Sequence, residues 1–486
     1  MPVDPAVLDR IRRNDPSCGR VVLRGSCLDD LERLLAVSAV LAAARAVREI
    51  AMESTRPEVV ALVCAVLGVN AAVKRLDVLD HDNGAEAALV AMAGAIERSS
   101  TLTVFDGHVR SFTEAAGLAF ARALRTNTTL QSFSLCAKSV TVSALVAMAV
   151  ALESNSTLTS FDIMECGDDA VDLELAWLAF ARALRTNATL RSFKFWAEQG
   201  SEAALVAMAG ALETNSRLTT CVISLPDFGA HMTKVAGLAF ARALLANLTL
   251  RSFSVRGEVS EEAFVAMASA LESNATLTSC EIELLDDLTD AAGLALARAM
   301  RANATLRSLR MGAYFASEVA LVAMANALES NYTLTSLSLP LGEIEFTEAA
   351  VLAFAVALRA NTTLKSFSLE AHEIPEKLLV AMAGALESNT ALTSYDLEGH
   401  CPASPSAAKL TVAKLIARNR ALPSLYWHLA AMSTSSATPI VREALRGAGL
   451  LVLVFAFFLP PGASIRLPAA LEAALARRAA TLPLTG

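Results

Sequence analysis

The sequence predicts an α/β solenoid of about fifteen stacked units, each a strand and a helix, with a parallel sheet inside an arc and helices outside. Three observations predict it. An asparagine recurs about every 28 to 32 residues, a spacing that marks repeat arrays. An apolar trio follows each asparagine at offsets three, six and eight, and its last two members alternate with polar residues as in a half-buried strand. Before each asparagine, apolar residues fall three, seven and nine or ten positions back, which is one face of a helix. No single unit can bury its own apolar side, so the units must stack.

Taken in order, residues 4–14 suit a short first helix. The trios then begin with Cys18/Val21/Leu23, Val47/Ile50/Met52 and Val73/Leu76/Val78. These degenerate units read as an amino-terminal cap over residues 1–79. The breaks follow at Asn70, Ser99, Asn127, Asn155, Asn187, Asn215, Asn247, Asn274, Asn303, Asn331, Asn361, Asn389 and Asn419. Asparagine tolerates a left-handed backbone, the expected conformation of a helix cap at such a turn.

Residues 80–427 are regular repeats of two alternating kinds. One carries Gly-Leu-Ala-Phe-Ala-Arg-Ala-Leu before its break, as at 117–124 and 237–244; the other carries Ala-Leu-Val-Ala-Met-Ala, as at 144–149 and 204–209. Leu124/Phe120/Leu118 and Leu152/Met148/Leu145 are the expected core faces. Two residues before the break, charge alternates through Arg125, Glu153, Arg185, Glu213, Glu272, Arg301, Glu329, Arg359 and Glu387. On stacked helices this predicts neighbouring opposite charges on the convex side, a register ladder worth roughly 0–1 kcal/mol per exposed pair.

Residues 428–486 leave the pattern and read as a carboxy-terminal cap, helical over 439–447 and 469–478. Between these lies Leu450-Leu-Val-Leu-Val-Phe-Ala-Phe-Phe-Leu459, the most apolar run of the chain. It is far shorter than the roughly 20 residues a membrane span needs, and Pro460 and Pro461 stop it. A buried cap element and a peripheral or partner-binding tail both fit.

The L-x-x-L-x-L strand and long helical half resemble leucine-rich repeats of the ribonuclease-inhibitor subtype, over roughly residues 18–427. The repeats are similar to those of GALA-type bacterial effectors and of NOD-like receptors. The resemblance implies a horseshoe that binds a protein on its concave sheet. It departs at one place: the family's asparagine or cysteine after the strand is matched only by Cys166, with Lys138, Glu198, Pro226, Glu258, Leu285, Tyr314, Gly342, His372 and His400 standing there instead. Irregular loops after the strands follow from that departure.

Formal net charge is -8 and the sequence pI about 5.5. An acidic chain without a dense Lys/Arg stripe argues against a nucleic-acid partner. No pair of the eight cysteines has C-x-x-C spacing, and Cys18, Cys221 and Cys280 take core positions as free thiols. The amino terminus lacks the apolar run of a signal peptide. The expected compartment is therefore cytoplasmic, or host cytosol for a secreted effector. Sequons such as Asn127-Thr-Thr and Asn247-Leu-Thr then read as by-products of the repeated cap. There is no Gly-rich phosphate loop, H-E-x-x-H or G-x-S-x-G, so no enzyme and no cofactor are expected. His372 and His400 hold equivalent places in adjacent units, which fits a surface pair or, with Glu370, Asp396 and Glu398, a metal site.

The concave face remains. One of its rows is nearly uniform, from Ser132, Ser160 and Ser192 to Ser366 and Ser394. Two rows vary: Asp162, Lys194, Glu281, Arg310, Ser368 and Asp396, then Met164, Trp196, Arg256, Glu283, Gly312, Glu370 and Glu398. Variation on a copied surface is where a partner is read, although drift at exposed positions also produces it. Trp196, between Lys194 and Arg256, is the expected hot spot. The sequence thus predicts a non-enzymatic scaffold for a protein partner; a GTPase-activator-like regulator and a ubiquitin-ligase adaptor are the alternatives.

Overall fold

The computed structural model describes residues 5–23, 31–53, 56–79, 86–165, 173–196, 200–225, 232–284, 287–342, 346–400 and 407–435. The segments 439–447, 450–459 and 469–478, and Cys166 and Cys401, lie outside the described residues.

Fourteen strands form one sheet, all parallel, in the order of the chain. They are β1 (Arg20–Leu23), β2 (Glu49–Met52), β3 (Arg75–Leu79), β4 (Val104–Phe112) and β5 (Ser132–Val140). Then come β6 (Ser160–Glu165), β7 (Ser192–Trp196), β8 (Thr220–Ser224), β9 (Ser252–Gly257) and β10 (Ser279–Leu284). The last four are β11 (Ser308–Gly312), β12 (Ser336–Pro340), β13 (Ser366–Glu373) and β14 (Ser394–His400). Fifteen α-helices, from α1 (Pro5–Arg12) to α15 (Ala407–Ser435), alternate with them among the described residues. Neighbouring strands lie about 4.8 Å apart, whereas packed helices need about 8–10 Å. Stacking them one for one forces an arc with the sheet inside.

The trio residues pair in register across the sheet, Phe133 with Phe161 and Phe161 with Phe193, and all three are fully buried. Their rings stack in a column, 5.6 Å apart at Phe133–Phe161 and 6.2 Å at Phe161–Phe193. Phe180 and Met208, seven residues before their breaks, close the core from the helix side. One expected core position is exposed instead. Leu118 is 54% exposed and Leu238 52%, while Gly117 and Gly237, one residue earlier, are the buried neighbours. A helix turns about 100° per residue, so only one of the two adjacent positions can face the sheet. Glycine holds the inner one because the next helix lies too close for a side chain: a Cβ on Gly117 would sit 2.2 Å from that of Ala144.

The recurrent asparagines do not adopt the left-handed conformation the sequence suggests. Asn127 has φ -71° and ψ 132°, and the others up to Asn389 are equally extended. The side chain does the capping. In Asn247, Nδ2 donates to Leu212 O (2.6 Å) and Asn215 O (2.9 Å) in the preceding unit. Its Oδ1 accepts from the amides of Thr249 (2.9 Å) and Leu250 (2.7 Å) at the start of the next strand. Each asparagine is therefore a buried bracket between a helix end, the following strand and the unit before it. This geometry also disposes of the sequons, since Asn127 and Asn247 are 5% and 3% exposed with both amide atoms engaged.

The last break fails as a turn. Asn419 keeps the bracket to Asn389 O and Leu392 O, but it lies inside α15, which continues to Ser435. Leu422, Leu425 and Trp427 stand at the trio offsets after it but fall within the helix, and no strand follows among the described residues.

The convex charge ladder exists with a different offset. Glutamates two residues before the break pair with arginines five before the next break: Glu97–Arg122 at 3.0 Å, Glu153–Arg182 at 2.6 Å, Glu213–Arg242 at 2.9 Å and Glu272–Arg298 at 3.2 Å. Arg125, Arg185, Arg301 and Arg359 stay exposed. The expected partner lies one helical turn too far along.

Candidate binding face

The strands present three outward rows on the concave side. The first is the serine row, and the structure aligns it from Ser132 to Ser394. In the first units the same row carries Arg20, Glu49 and Arg75 instead. These three join Asp77, Asp106 and His108 in one charged cluster around a depression of about 480 Å³. Arg20 holds Glu49 at 2.7 Å, and Arg75 holds Asp77 at 2.6 Å and Asp106 at 2.8 Å. Burial, and then the hydrogen bond to Asp77, push the Glu49 carboxyl above its ordinary pKa. Reading the regular units alone misses this cluster. Its signal was available as the departure of Arg20, Glu49 and Arg75 from an otherwise neutral row.

The residues expected from the sequence fall into two groups. Asp162 and Lys194 are opposite in register and pair at 3.4 Å. Burial raises the Asp162 pKa, against the pull of Lys194. Met164 stands opposite Trp196 one row further on. Trp196 is half-buried, and Arg256, two strands away across Ser224, places its guanidinium 5.8 Å from the ring centroid.

Arg256 links this region to the second group. It grips Glu283 with two contacts, Nε–Oε2 at 2.7 Å and Nη2–Oε1 at 2.8 Å, the fork geometry that arginine makes with a carboxylate. Arg310 lies between Glu281 at 3.2 Å and Glu370 at 3.7 Å, and donates to Ser338 Oγ at 3.0 Å. Asp396 is exposed, and Glu398 stands opposite Glu370 in the register. A register shift after Glu370 sets His400 opposite Glu373, so His372 and His400 are not direct partners across the ladder.

The edge where the strands begin carries a further row. Arg48, Lys74, Arg191, Arg251, Arg307 and Lys365 occupy one repeat position, which Thr103, Thr159, Thr219, Thr278, Thr335, Thr393 and the neutral Gln131 hold in the other units. The sequence reading found no basic stripe because its members are roughly 60 residues apart. Several are committed within the stack: Arg251 donates to Thr276 O at 2.9 Å, Arg307 to Thr333 O at 3.3 Å and Arg48 to Ala72 O at 3.2 Å.

Cys18, Cys221 and Cys280 are buried free thiols, and burial pushes Cys221 and Cys280 up to about 12. No group of three or more His, Cys, Asp or Glu side chains is placed to hold a metal ion among the described residues. No helix among them is long and apolar enough to cross a membrane.

Strand, corner asparagine (Ser99 in one unit) and helix in the regular units, with one continuous parallel sheet, define an α/β leucine-rich-repeat solenoid. No family model and no curated protein matches the chain. Among solved structures it is similar to the TLR13–ssRNA13 complex, at 12% identity and a TM-score of 0.43, over 79% of this chain and 53% of that one. The chain thus spans about half the length of that protein. It is also similar to the Rad7 and Elc1 complex in yeast, at 15% identity and a TM-score of 0.41, over 67% of this chain and 76% of that one. At these identities the likeness concerns the fold alone.

Proposed function

We propose that this chain is a non-enzymatic scaffold that captures a protein on its concave sheet, with the surface from Asp162 to Glu398 as the contact. One observation carries the reading. The backbone, core and corner brackets are copied from unit to unit, while Trp196, Arg256, Glu281, Glu283, Arg310 and Glu370 differ and are held by contacts to one another. Side chains fixed before binding lose little entropy on binding, and aromatic and arginine residues dominate interface energetics. Nucleic acid is kept outside the proposal because Arg48, Arg251 and Arg307 on the rim already serve loop carbonyls.

The test is affinity capture from a candidate host lysate with wild type beside a Trp196→Ala/Arg256→Ala double variant. The proposal expects a protein retained by wild type and lost from the variant. Equal recovery by both baits rejects this surface. Stable retention of single-stranded RNA at physiological salt would reject the choice of partner class. A change in GTP hydrolysis by a captured GTPase would move the assignment from scaffold to enzyme regulator.

A further inference from the structure

The variable face contains one hollow that nothing above assigns. It lies at the carboxy-terminal edge of the sheet between β10 and β13 and has a volume of about 540 Å³. Two adjacent strands create it by presenting almost no side chain where their neighbours carry glutamate. Along that row the order is Glu283, Gly312, Pro340, Glu370. Gly312 is the floor: a Cβ there would lie 2.9 Å from Glu283 Cγ and 3.3 Å from Pro340 Cγ. Pro340 has no N–H to give to a ladder, and the regular pairing of β11 with β12 stops at Arg310–Ser338. The strands meet again only at the isolated bridge Ala313–Leu341.

Beyond the floor stands an aromatic wall. Tyr314 and Phe315 are 51% and 41% exposed, with rings edge to face at 4.9 Å. Among the described residues, exposed neighbouring aromatics beside a cavity are unusual, the other rings lying mostly in the core. The charge around the hollow does not balance. Among the described residues Glu281, Glu283 and Glu370 share two guanidiniums, Arg256 and Arg310, and the imidazole of His372 also lines the hollow. Glu283 is satisfied by the fork from Arg256, and Arg310 favours Glu281. Glu370 is left with its contact to Arg310 at 3.7 Å and a side chain 38% exposed.

An apolar floor, an aromatic side wall and an under-neutralised carboxylate at the mouth are complementary to one kind of group: a cation on an apolar stem. Its stem would cover Gly312 and Pro340, its charge would lie beside the Tyr314 ring, and Glu370 would accept its hydrogen bonds. We propose that this hollow receives an arginine or lysine side chain from a protein bound on the concave face. The proposal rests on the scaffold function above and names the chemistry of its partner at this end of the sheet.

The probes are N-acetyl-arginine amide, N-acetyl-lysine amide and, as the uncharged control of similar length, N-acetyl-norleucine amide. Each is titrated against the full chain by saturation-transfer difference NMR. The expected result is millimolar binding of the two cationic probes and none of norleucine. Glu370→Gln weakens the cationic probes roughly tenfold, the loss of one charged hydrogen bond. Gly312→Leu fills the hollow and abolishes their signal. Should Gly312→Leu fail to fold, as judged by its circular dichroism melt, Tyr314→Ala together with Glu370→Gln carries the test from the surface. Equal signals from arginine and norleucine overturn the proposal, as do cationic signals unchanged in Glu370→Gln or surviving a folded Gly312→Leu. The two readings fail separately. Probe binding lost while the Trp196/Arg256-dependent capture persists removes the hollow and leaves the scaffold. Specific probe binding with no Trp196/Arg256-dependent capture leaves a cation site and removes the proposed protein surface.

Discussion

Replacing Asn247 by alanine should cost far more than any surface change in the same unit. The side chain is 3% exposed and makes four hydrogen bonds, two to carbonyls of the preceding unit and two from amides of the following strand. At a net of about 1 kcal/mol each, their loss amounts to about 4 kcal/mol, before any penalty for buried groups that water cannot reach. The chain contains its own intermediate case. Ser99 holds the same place and accepts from the amides of Thr101 (3.4 Å) and Leu102 (3.2 Å). A serine at 247 should therefore keep the accepting half, lose the donating half and cost about 2 kcal/mol. Urea denaturation monitored by hydrogen exchange suits this test, because a solenoid is stabilised by nearest-neighbour interfaces. Lost protection should centre on the corner between Leu212 and Leu250 and fade within two units on either side. Asn247→Ala within 1 kcal/mol of wild type, or Asn247→Ser as damaging as alanine, would refute the bracket as the source of stability.

Three further outcomes follow from packing and titration. Gly237→Ala should destabilise by about 1–3 kcal/mol, since its Cβ would fall 2.3 Å from Ala263 Cα, whereas Gly210→Ala, with nothing within 4 Å, should stabilise by about 0.5–1 kcal/mol; paired thermal melts decide. In a chain carrying serine at Cys27, Cys166 and Cys401, Ellman's reagent at pH 8 should react slowly with half-buried Cys64 and Cys136, and with Cys221 and Cys280 only after unfolding. Asp162 has a folded pKa raised above its unfolded value by burial, so its ionised form opposes folding once the pH exceeds the folded value, and the cost vanishes below the unfolded one. Asp162→Asn should accordingly gain stability at pH 7 and little at pH 4 in urea titrations, and a larger gain at pH 4 would contradict the assigned cause.

The solenoid was legible because burial is periodic. Leu130/Phe133/Leu135 and their counterparts up to Leu364/Phe367/Leu369 are apolar at a recurring spacing, and the structure buries them. Whatever depends on the angle between stacked units was not legible. The sequence shows that Asn127 ends a helix, but only the distance to Ile96 O reveals that its side chain bonds the unit before. It shows alternating charge at Glu153 and Arg185, but helix stagger selects Arg182 as the partner. Much of the candidate face was legible as variation within copied rows. Its charged amino-terminal end was not, because Arg20, Glu49 and Arg75 lie in units too degenerate to align by eye. The hollow was hidden for the opposite reason: Gly312 matters through the side chain it lacks and Pro340 through the missing N–H that interrupts the ladder.

The two kinds of repeat are two kinds of interface. Where a Phe-type helix meets the following Met-type helix, glycine faces alanine backbone to backbone, as at Gly117–Ala144, Gly237–Ala263 and Gly293–Ala320. Where a Met-type helix meets the following Phe-type helix, Glu213 reaches Arg242 and Glu272 reaches Arg298 instead. The brackets alternate in step. Asn187, Asn247 and Asn303 each hold two carbonyls of the unit before, while Asn155, Asn215 and Asn274 each hold one. In the units of Gly117, Gly237 and Gly293 the close contact and the double bracket thus fall on opposite sides, whereas Trp177 and Val351 stand at the glycine position in two other Phe-type helices. Val356 occupies the arginine position in the helix that follows Glu329, and it is 47% exposed. There the ion pair is lost while the bracket from Asn361 to Leu328 O and Asn331 O persists. That order of loss matches the energetics, because an exposed ion pair contributes roughly 0–1 kcal/mol and a buried bracket several times more. Drift removes the weaker device first and leaves the stacking, and with it the concave face, in place.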